Sequence, residues 1–414
     1  MDFRSLQKPV LATLLLFLLA HPSDLSSCGP FFAVAVSTRT GVPDDEAEFF
    51  EGKFGILQPT LWRAYLAVAY RTLSGLPLSR EQAESIRQRK ETVVGPAPAD
   101  PLQGWLEQRM KVLGTKPLEV ERYRTGANYQ SFAGCSDDAF ATAAKTLNTL
   151  LSEPSEEAKE WLASQDEVFS NCGKTGTIPA PASPGSSGRV LANRAYQIAA
   201  AYFYQGNWDE AKSRFQQIAG DQSSPWHTIA PYLVARVDLR RGLYPAAKAE
   251  LKAILGNQTL SAIHRQTRLL LDYAEARDDP AGYMASCANQ LMDAHPADLA
   301  HSLNDYTFLY DKFKDSVNDK SGKYQPEGLK ALETKDDLTA WIESFGTESA
   351  VEKWEQNHSF PWLISALTYT GASHAGPALI EAALRIPSTS PAYATARFEA
   401  VRILTNANKK DQAR

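Results

Sequence analysis

Residues 195–218, AYQIAAAYFYQGNWDEAKSRFQQI, and residues 231–254, PYLVARVDLRRGLYPAAKAELKAI, decide the fold. Each places small and apolar residues at helical spacing, breaks at a glycine, and resumes the spacing after an aromatic. Gly206 and Gly242, Trp208 and Tyr244, and Ala211 and Ala247 are each 36 residues apart. Small side chains at Ala199, Ala211, Ala235 and Ala247 let two helices approach closely, and the glycines permit the tight turn between them. One such hairpin cannot bury its apolar face alone, so the spacing predicts hairpins stacked on one another.

These two units resemble the tetratricopeptide repeat, whose usual period is about 34 residues. The resemblance covers Leu191 to Leu255 and fades beyond. It departs at Asp238, where the family prefers an aromatic, and in the extra residues Ser223 to Trp226 between the units. What the resemblance implies is an all-α fold, a tetratricopeptide-like α-α hairpin solenoid over 191–414. In that family the first helix of each unit lines a concave groove for another protein or peptide. Mapped here, the groove face selects Asn193, Tyr196, Ala200 and Tyr204, then Tyr232, Arg236 and Arg240. Tyrosine and arginine often carry interface energy, and Arg236 and Arg240, one helical turn apart, suit a carboxylate. The alternative is that the tyrosines pack against the neighbouring hairpin.

Further helical pairs follow less clearly: Arg265–Ala276 with Tyr283–Ala294, then Leu338–Phe345 and Val351–Trp354 around a polar stretch from Lys312 to Pro326. Pro361–Tyr369 and Ala375–Arg385 read as another hairpin. Pro391–Asn406 repeats the first-helix pattern, and Asn408, Lys410 and Ala413 sit where Gly206, Trp208 and Ala211 sat. The expectation is an array truncated inside a repeat, with Phe398, Val401 and Leu404 lacking a partner; the alternative is that another chain covers that end. The stretches CGPFF at Cys28, QPTLWRAYLAVAYR (58–71) and SPAYATARFEAVRIL (390–404) are similar to an uncharacterised family of exported bacterial proteins with helical repeats. That likeness implies no activity.

Upstream, Arg4 and Lys8 precede an apolar run from Val10 to Ala20. A bilayer-spanning helix needs about 20 apolar residues, so a basic start with this short centre and a polar exit predicts a signal peptide over 1–27. Leu25-Ser26-Ser27-Cys28 resembles a bacterial lipobox, which implies a lipid anchor on Cys28, although Asp24 and its polar neighbours depart from the pattern. Residues 28–172 read as an N-terminal irregular and helical module, with helices near 58–73, 79–90, 105–112, 139–151 and 156–169. Gly173 to Val190 (GKTGTIPAPASPGSSGRV) reads as a linker. Cys135 opens one helix of the 139–169 hairpin and Cys172 follows the other, so the antiparallel geometry predicts a disulfide between them. Cys287 reads as a small core residue.

Composition and motifs limit the chemistry. The 414 residues are 43% hydrophobic, and 43 Lys and Arg stand against 48 Asp and Glu for a net charge of −5. Wholesale disorder is excluded, and a general nucleic-acid binder would need a basic face. None of the seven His falls in a metal spacing, and His295 and His301, flanking Pro296, are not expected to share a metal. No phosphate-binding loop, dinucleotide fingerprint or nucleophile elbow is present. Asp137 and Asp138 suit the positive end of the following helix better than acid–base work. No cofactor and no catalytic residue are expected. The function expected is an exported protein–protein interaction scaffold in the periplasm or at the outer membrane, touching the membrane only through Cys28. Two alternatives stand: an enzyme with its site in the N-terminal module, and an outer-membrane lipoprotein assembly factor.

Overall fold

The computed structural model describes residues 41–94, 100–114, 118–125, 131–151, 156–173, 176–316, 319, 321–369, 377–409 and 411–413. The expected signal peptide, Cys28 and Lys410 lie outside them. The described residues form an all-helical fold with one short strand pair. The chain opens with α1 (Glu46–Phe50), α2 (Arg63–Leu73), α3 (Arg80–Val94) and α4 (Pro101–Leu113). A two-stranded antiparallel ribbon, β1 (Tyr123–Thr125) and β2 (Ser131–Ala133), leads to α5 (Asp137–Leu151) and α6 (Glu156–Ser170). The self-similar units are α7 (Gly188–Gln205) with α8 (Trp208–Gly220), and α9 (Ala230–Arg240) with α10 (Tyr244–Gly256). Then come α11 (His264–Asp278), α12 (Pro280–Leu291), α13 (Leu299–Lys314), α14 (Pro326–Glu333) and α15 (Asp337–Ser344). The last four are α16 (Glu348–Asn357), α17 (Phe360–Thr368), α18 (Pro377–Leu384) and α19 (Tyr393–Asn406).

Local chemistry sets the boundaries of the repeated units. Ser187 caps α7 through the Val190 amide, and Gly206 ends the helix at φ 90°, a left-handed conformation costly for any residue with a Cβ. Asn207 then caps α8 at the Glu210 amide, so one turn closes a helix and opens the next. Gly242 performs the same reversal at φ 75°.

The cores do not follow the division into module, linker and array. One core joins Trp105 of α4, Phe140 and Leu147 of α5, and Leu162 and Phe169 of α6 to Ala199 and Phe203 of α7, Phe215 of α8 and Val234 of α9. The stretch read as a linker is part of that packing. Ile178 lies against the core, the Thr177 carbonyl accepts from Asn171 Nδ2 at 2.8 Å, and Arg194 donates to the Ala180 carbonyl. A Gly-, Pro- and Ser-rich composition lowers helix content, but here an apolar residue and its carbonyls are still drawn onto the surface it crosses. Helix α7 accordingly starts inside the expected linker, at Gly188.

A second core brings the two ends of the chain together. Phe49 of α1 and Tyr65 and Val68 of α2 pack with Met284 of α12, Tyr306 of α13, Trp341 of α15, Trp362 of α17 and Ile403 of α19. Arg71, buried at 3% exposure, donates from its guanidinium to the Leu291 and Asp293 carbonyls at the end of α12. The Tyr70 hydroxyl bonds Asp337 at the start of α15. Thr395 of α19 accepts from the Leu57 amide at 2.9 Å and donates to the Gly55 carbonyl at 3.0 Å. Residues expected to form one N-terminal module are therefore shared between two cores, α1 and α2 with the late helices and α4 to α6 with the first repeated units. Of the α19 residues expected to lack a partner, Phe398 and Val401 are each 48% exposed, whereas Leu404 is buried.

Candidate functional site

The face expected to be a groove is filled by the chain itself. Tyr196 stacks on Trp226 with ring centroids 4.1 Å apart, and the Trp226 indole N–H donates to Asn193 Oδ1 at 3.0 Å. The extra residues Ser223 to Trp226, a departure from the repeat pattern, thus carry the ring that covers the first-helix face. Ala200 and Tyr204 are buried, and burial pushes the Tyr196 hydroxyl up to about 12 and raises that of Tyr204. Tyr232 is half-buried and its hydroxyl is likewise raised by burial.

A carboxylate of the chain itself already stands at Arg236, where that of a partner was expected. Arg236 donates to Asp138 Oδ2 at 2.7 Å and to Ser136 Oγ at 3.0 Å, both from the N-terminal end of α5. Burial raises the Asp138 carboxyl, but the Arg236 charge and the Ser136 bond outweigh it and hold the group below its ordinary range. Arg236 and Arg240 both stand over the Phe203 ring, at 5.7 and 5.8 Å. The neighbouring departure from the repeat pattern has a similar cause, since fully buried Asp238 receives Lys212 Nζ at 2.6 Å. Arg236→Glu should lower stability by about 1 kcal/mol, because Asp138 is 58% exposed and water screens the pair. Adding Asp138→Arg should restore most of the loss in urea denaturation; no recovery would show that the pair does not couple.

An open concavity lies elsewhere, between α11 and α13. It encloses about 950 Å³ and is walled by α11, Tyr283 of α12, α13, and Asp315, Asp319, Ser321 and Tyr324. Three large apolar side chains stand in it well exposed to solvent: Leu269 at 49%, Tyr273 at 48% and Phe308 at 56%. Leu269 and Tyr273 are one turn apart on α11, and Phe308 faces the cleft from α13. Two cations of the chain sit over these rings, Arg277 at 5.3 Å from Tyr273 and Lys312 at 5.5 Å from Phe308. The other charged lining residues are His301 and the aspartates Asp272, Asp305, Asp315 and Asp319.

One wall of this cleft holds a connected polar network. Asp298 caps α13 through the His301 amide at 2.9 Å, which places the His301 ring in the first turn. His301 Nε2 lies 3.1 Å from Asp272 Oδ2 and 3.3 Å from Asp305 Oδ2. His301 Nδ1 lies 2.7 Å from Arg89 Nη2 of α3. Tyr283 donates its hydroxyl to Asp305 Oδ2 at 2.8 Å, and burial pushes the nearby Cys287 thiol up to about 12. The Asp272 hydrogen bond holds the His301 imidazole above its ordinary value, against burial and the Arg89 charge. Among the described residues no group of three His, Cys, Asp or Glu side chains is disposed to hold a metal ion.

Sequence reasoning missed this site because it missed α13. The spacing gives His301 no metal to share with His295 and gives Asp272, Asp305 and Phe308 no role. A signal was available: Leu299, Leu303, Tyr306, Tyr310 and Phe313 fall at helical spacing behind an Asp298 cap.

Cys135 and Cys172 are joined by a disulfide with Cα atoms 5.1 Å apart, buried in the core shared by α4 to α9. Comparison with known proteins finds no match to a family model, to a curated protein or to a solved structure.

Proposed function

We propose that the chain is an exported scaffold of tetratricopeptide-like helical hairpins that binds a peptide segment of another protein in the cleft between α11 and α13. One observation carries the reading: a concavity of about 950 Å³ that holds Leu269, Tyr273 and Phe308 open to water. Exposed apolar side chains gathered in a concavity mark interaction sites. The binding class expected from the sequence is kept, and its surface moves away from Tyr196, Tyr204, Tyr232, Arg236 and Arg240. Four aspartates face one arginine, one lysine and one histidine in the lining, so the occupant has apolar anchors and at least one basic residue. Export is supported by the basic and apolar start of the chain and by the Cys135–Cys172 disulfide, which suits an oxidising compartment. A lipid on Cys28 would make the same scaffold an outer-membrane assembly factor without changing the cleft.

The enzyme expected from the sequence has its site in the N-terminal module; a different enzyme reading would draw on His301, whose Nε2 faces both Asp272 and Asp305. The binding reading is preferred because both ring nitrogens are already within hydrogen-bond reach of side chains of the chain itself.

Selection of displayed peptides on the full chain tests the proposal. Selected sequences should combine aromatic or aliphatic residues with Lys or Arg. Tyr273→Ser and Phe308→Ser should each weaken the selected peptide by about tenfold, a loss typical of an aromatic anchor. Both substitutions are at exposed positions, so circular dichroism should be unchanged. Full affinity in the double variant would place the site elsewhere.

A further inference from the structure

The contact between Arg89 and His301 connects a helix from the start of the chain to the wall of the cleft, across 212 residues of sequence. A guanidinium is a donor only. The 2.7 Å approach of Arg89 Nη2 therefore requires His301 Nδ1 to be an acceptor, without a proton. The single proton of the neutral ring then sits on Nε2, where Asp272 Oδ2 and Asp305 Oδ2 both lie within reach. Carboxylates on one side and an arginine on the other thus select one tautomer.

We propose that His301 is a proton-operated latch: neutral, it accepts Arg89 and ties α3 to α13, and protonated at Nδ1 it lets Arg89 go. The event is one proton taken from solvent onto Nδ1, which turns an acceptor into a donor and sets two cations against each other. This inference goes beyond the binding reading and stands whether or not the cleft takes a peptide.

The surroundings leave His301 as the group that titrates. From α3 it faces Arg89, whose other guanidinium nitrogen lies 3.8 Å from Asp298 Oδ2; that longer, exposed pair is screened by water and holds α3 far more weakly than the 2.7 Å contact with His301. From α11 come Asp272 and, near Cys287, Glu275. From α12 come Tyr283 and Cys287, both raised by burial and so protonated throughout the neutral range. From α13 itself comes Asp305, which also accepts from Tyr283 and Asn304. Global stability runs in the opposite sense to the latch. The imidazolium paired with Asp272 and Asp305 contributes fully below the unfolded value of about 6.5, and that contribution is lost as pH rises through the elevated folded value. Loosening of α3 in acid is therefore not a by-product of general destabilisation through this histidine.

Hydrogen exchange of the α3 amides in the full chain, as protection factors between about pH 5 and 8, reads the latch directly. Protection should fall by about tenfold as the pH drops through the His301 titration, the factor expected for losing a charged hydrogen bond. His301→Gln should abolish that dependence, and Arg89→Gln should give the low protection at every pH. A persistent pH dependence in His301→Gln overturns the latch. So does ¹⁵N imidazole NMR of the unsubstituted protein showing the proton on Nδ1 at high pH, a measurement that needs no variant.

Discussion

Trp341→Ala is expected to destabilise the protein by about 3–5 kcal/mol, the usual cost of truncating a fully buried tryptophan. Trp341 has no exposure, and its ring lies 5.3 Å from that of Tyr70 in α2 and 4.5 Å from that of Phe345. Its indole N–H donates to the Pro361 carbonyl at 2.8 Å, in the first turn of α17. Alanine would leave a cavity shared by α2, α15 and α17 and an acceptor without its donor. The size of the loss is less informative than its distribution. If the early and late helices share one core, hydrogen exchange should show α2 and α17 losing protection together as the denaturation midpoint falls. Loss confined to α15 to α17, with Tyr65 to Leu73 as protected as before, would show that α2 does not belong to that core.

The second large effect is expected from the disulfide. Cys135 and Cys172 are 37 residues apart, and closing a loop of that length restricts the unfolded chain enough to stabilise the fold by about 2–4 kcal/mol. The paired variant Cys135→Ser with Cys172→Ser avoids leaving one reactive thiol and should lose that amount in urea denaturation. The loss should appear in the core of α4 to α9, where both cysteines are fully buried, and leave α12 to α19 nearly untouched. An equal loss in both cores would mean that the two melt as one unit, and no loss would remove the cross-link from the account.

What the sequence disclosed follows from how locally each feature is encoded. The hairpin α7–α8 is legible because Gly206, Asn207 and Trp208 hold turn, cap and first helical residue side by side. The fit of α2 against the late helices is not, because Arg71 meets Leu291 across 220 residues and neither end contains a sign of the other. The filled groove was half visible. Trp226 lies in the extra residues between the units and Asp138 in the acidic pair at the start of α5, but their arrival on the first-helix faces depends on tertiary packing. Helix α13 was obscured by its polar surroundings, including the stretch from Lys312 to Pro326 that reads as a loop. The cleft was the least legible feature. Tyr273 and Phe308 each look like a stray apolar residue on a polar helix face, and only the packing of α11 and α13 on either side of α12 sets them in one concavity.

The central claim is that partners are taken in the cleft between α11 and α13 rather than on the face of Tyr196, Tyr232 and Arg236. Hydrogen exchange of the full chain, with and without a saturating selected peptide, tests it most directly. Added protection is expected in residues 269–277 and 305–315, with residues 193–204 and 232–240 unchanged. Protection gained in 193–204 and 232–240, with the cleft helices exchanging as in the free protein, would contradict it.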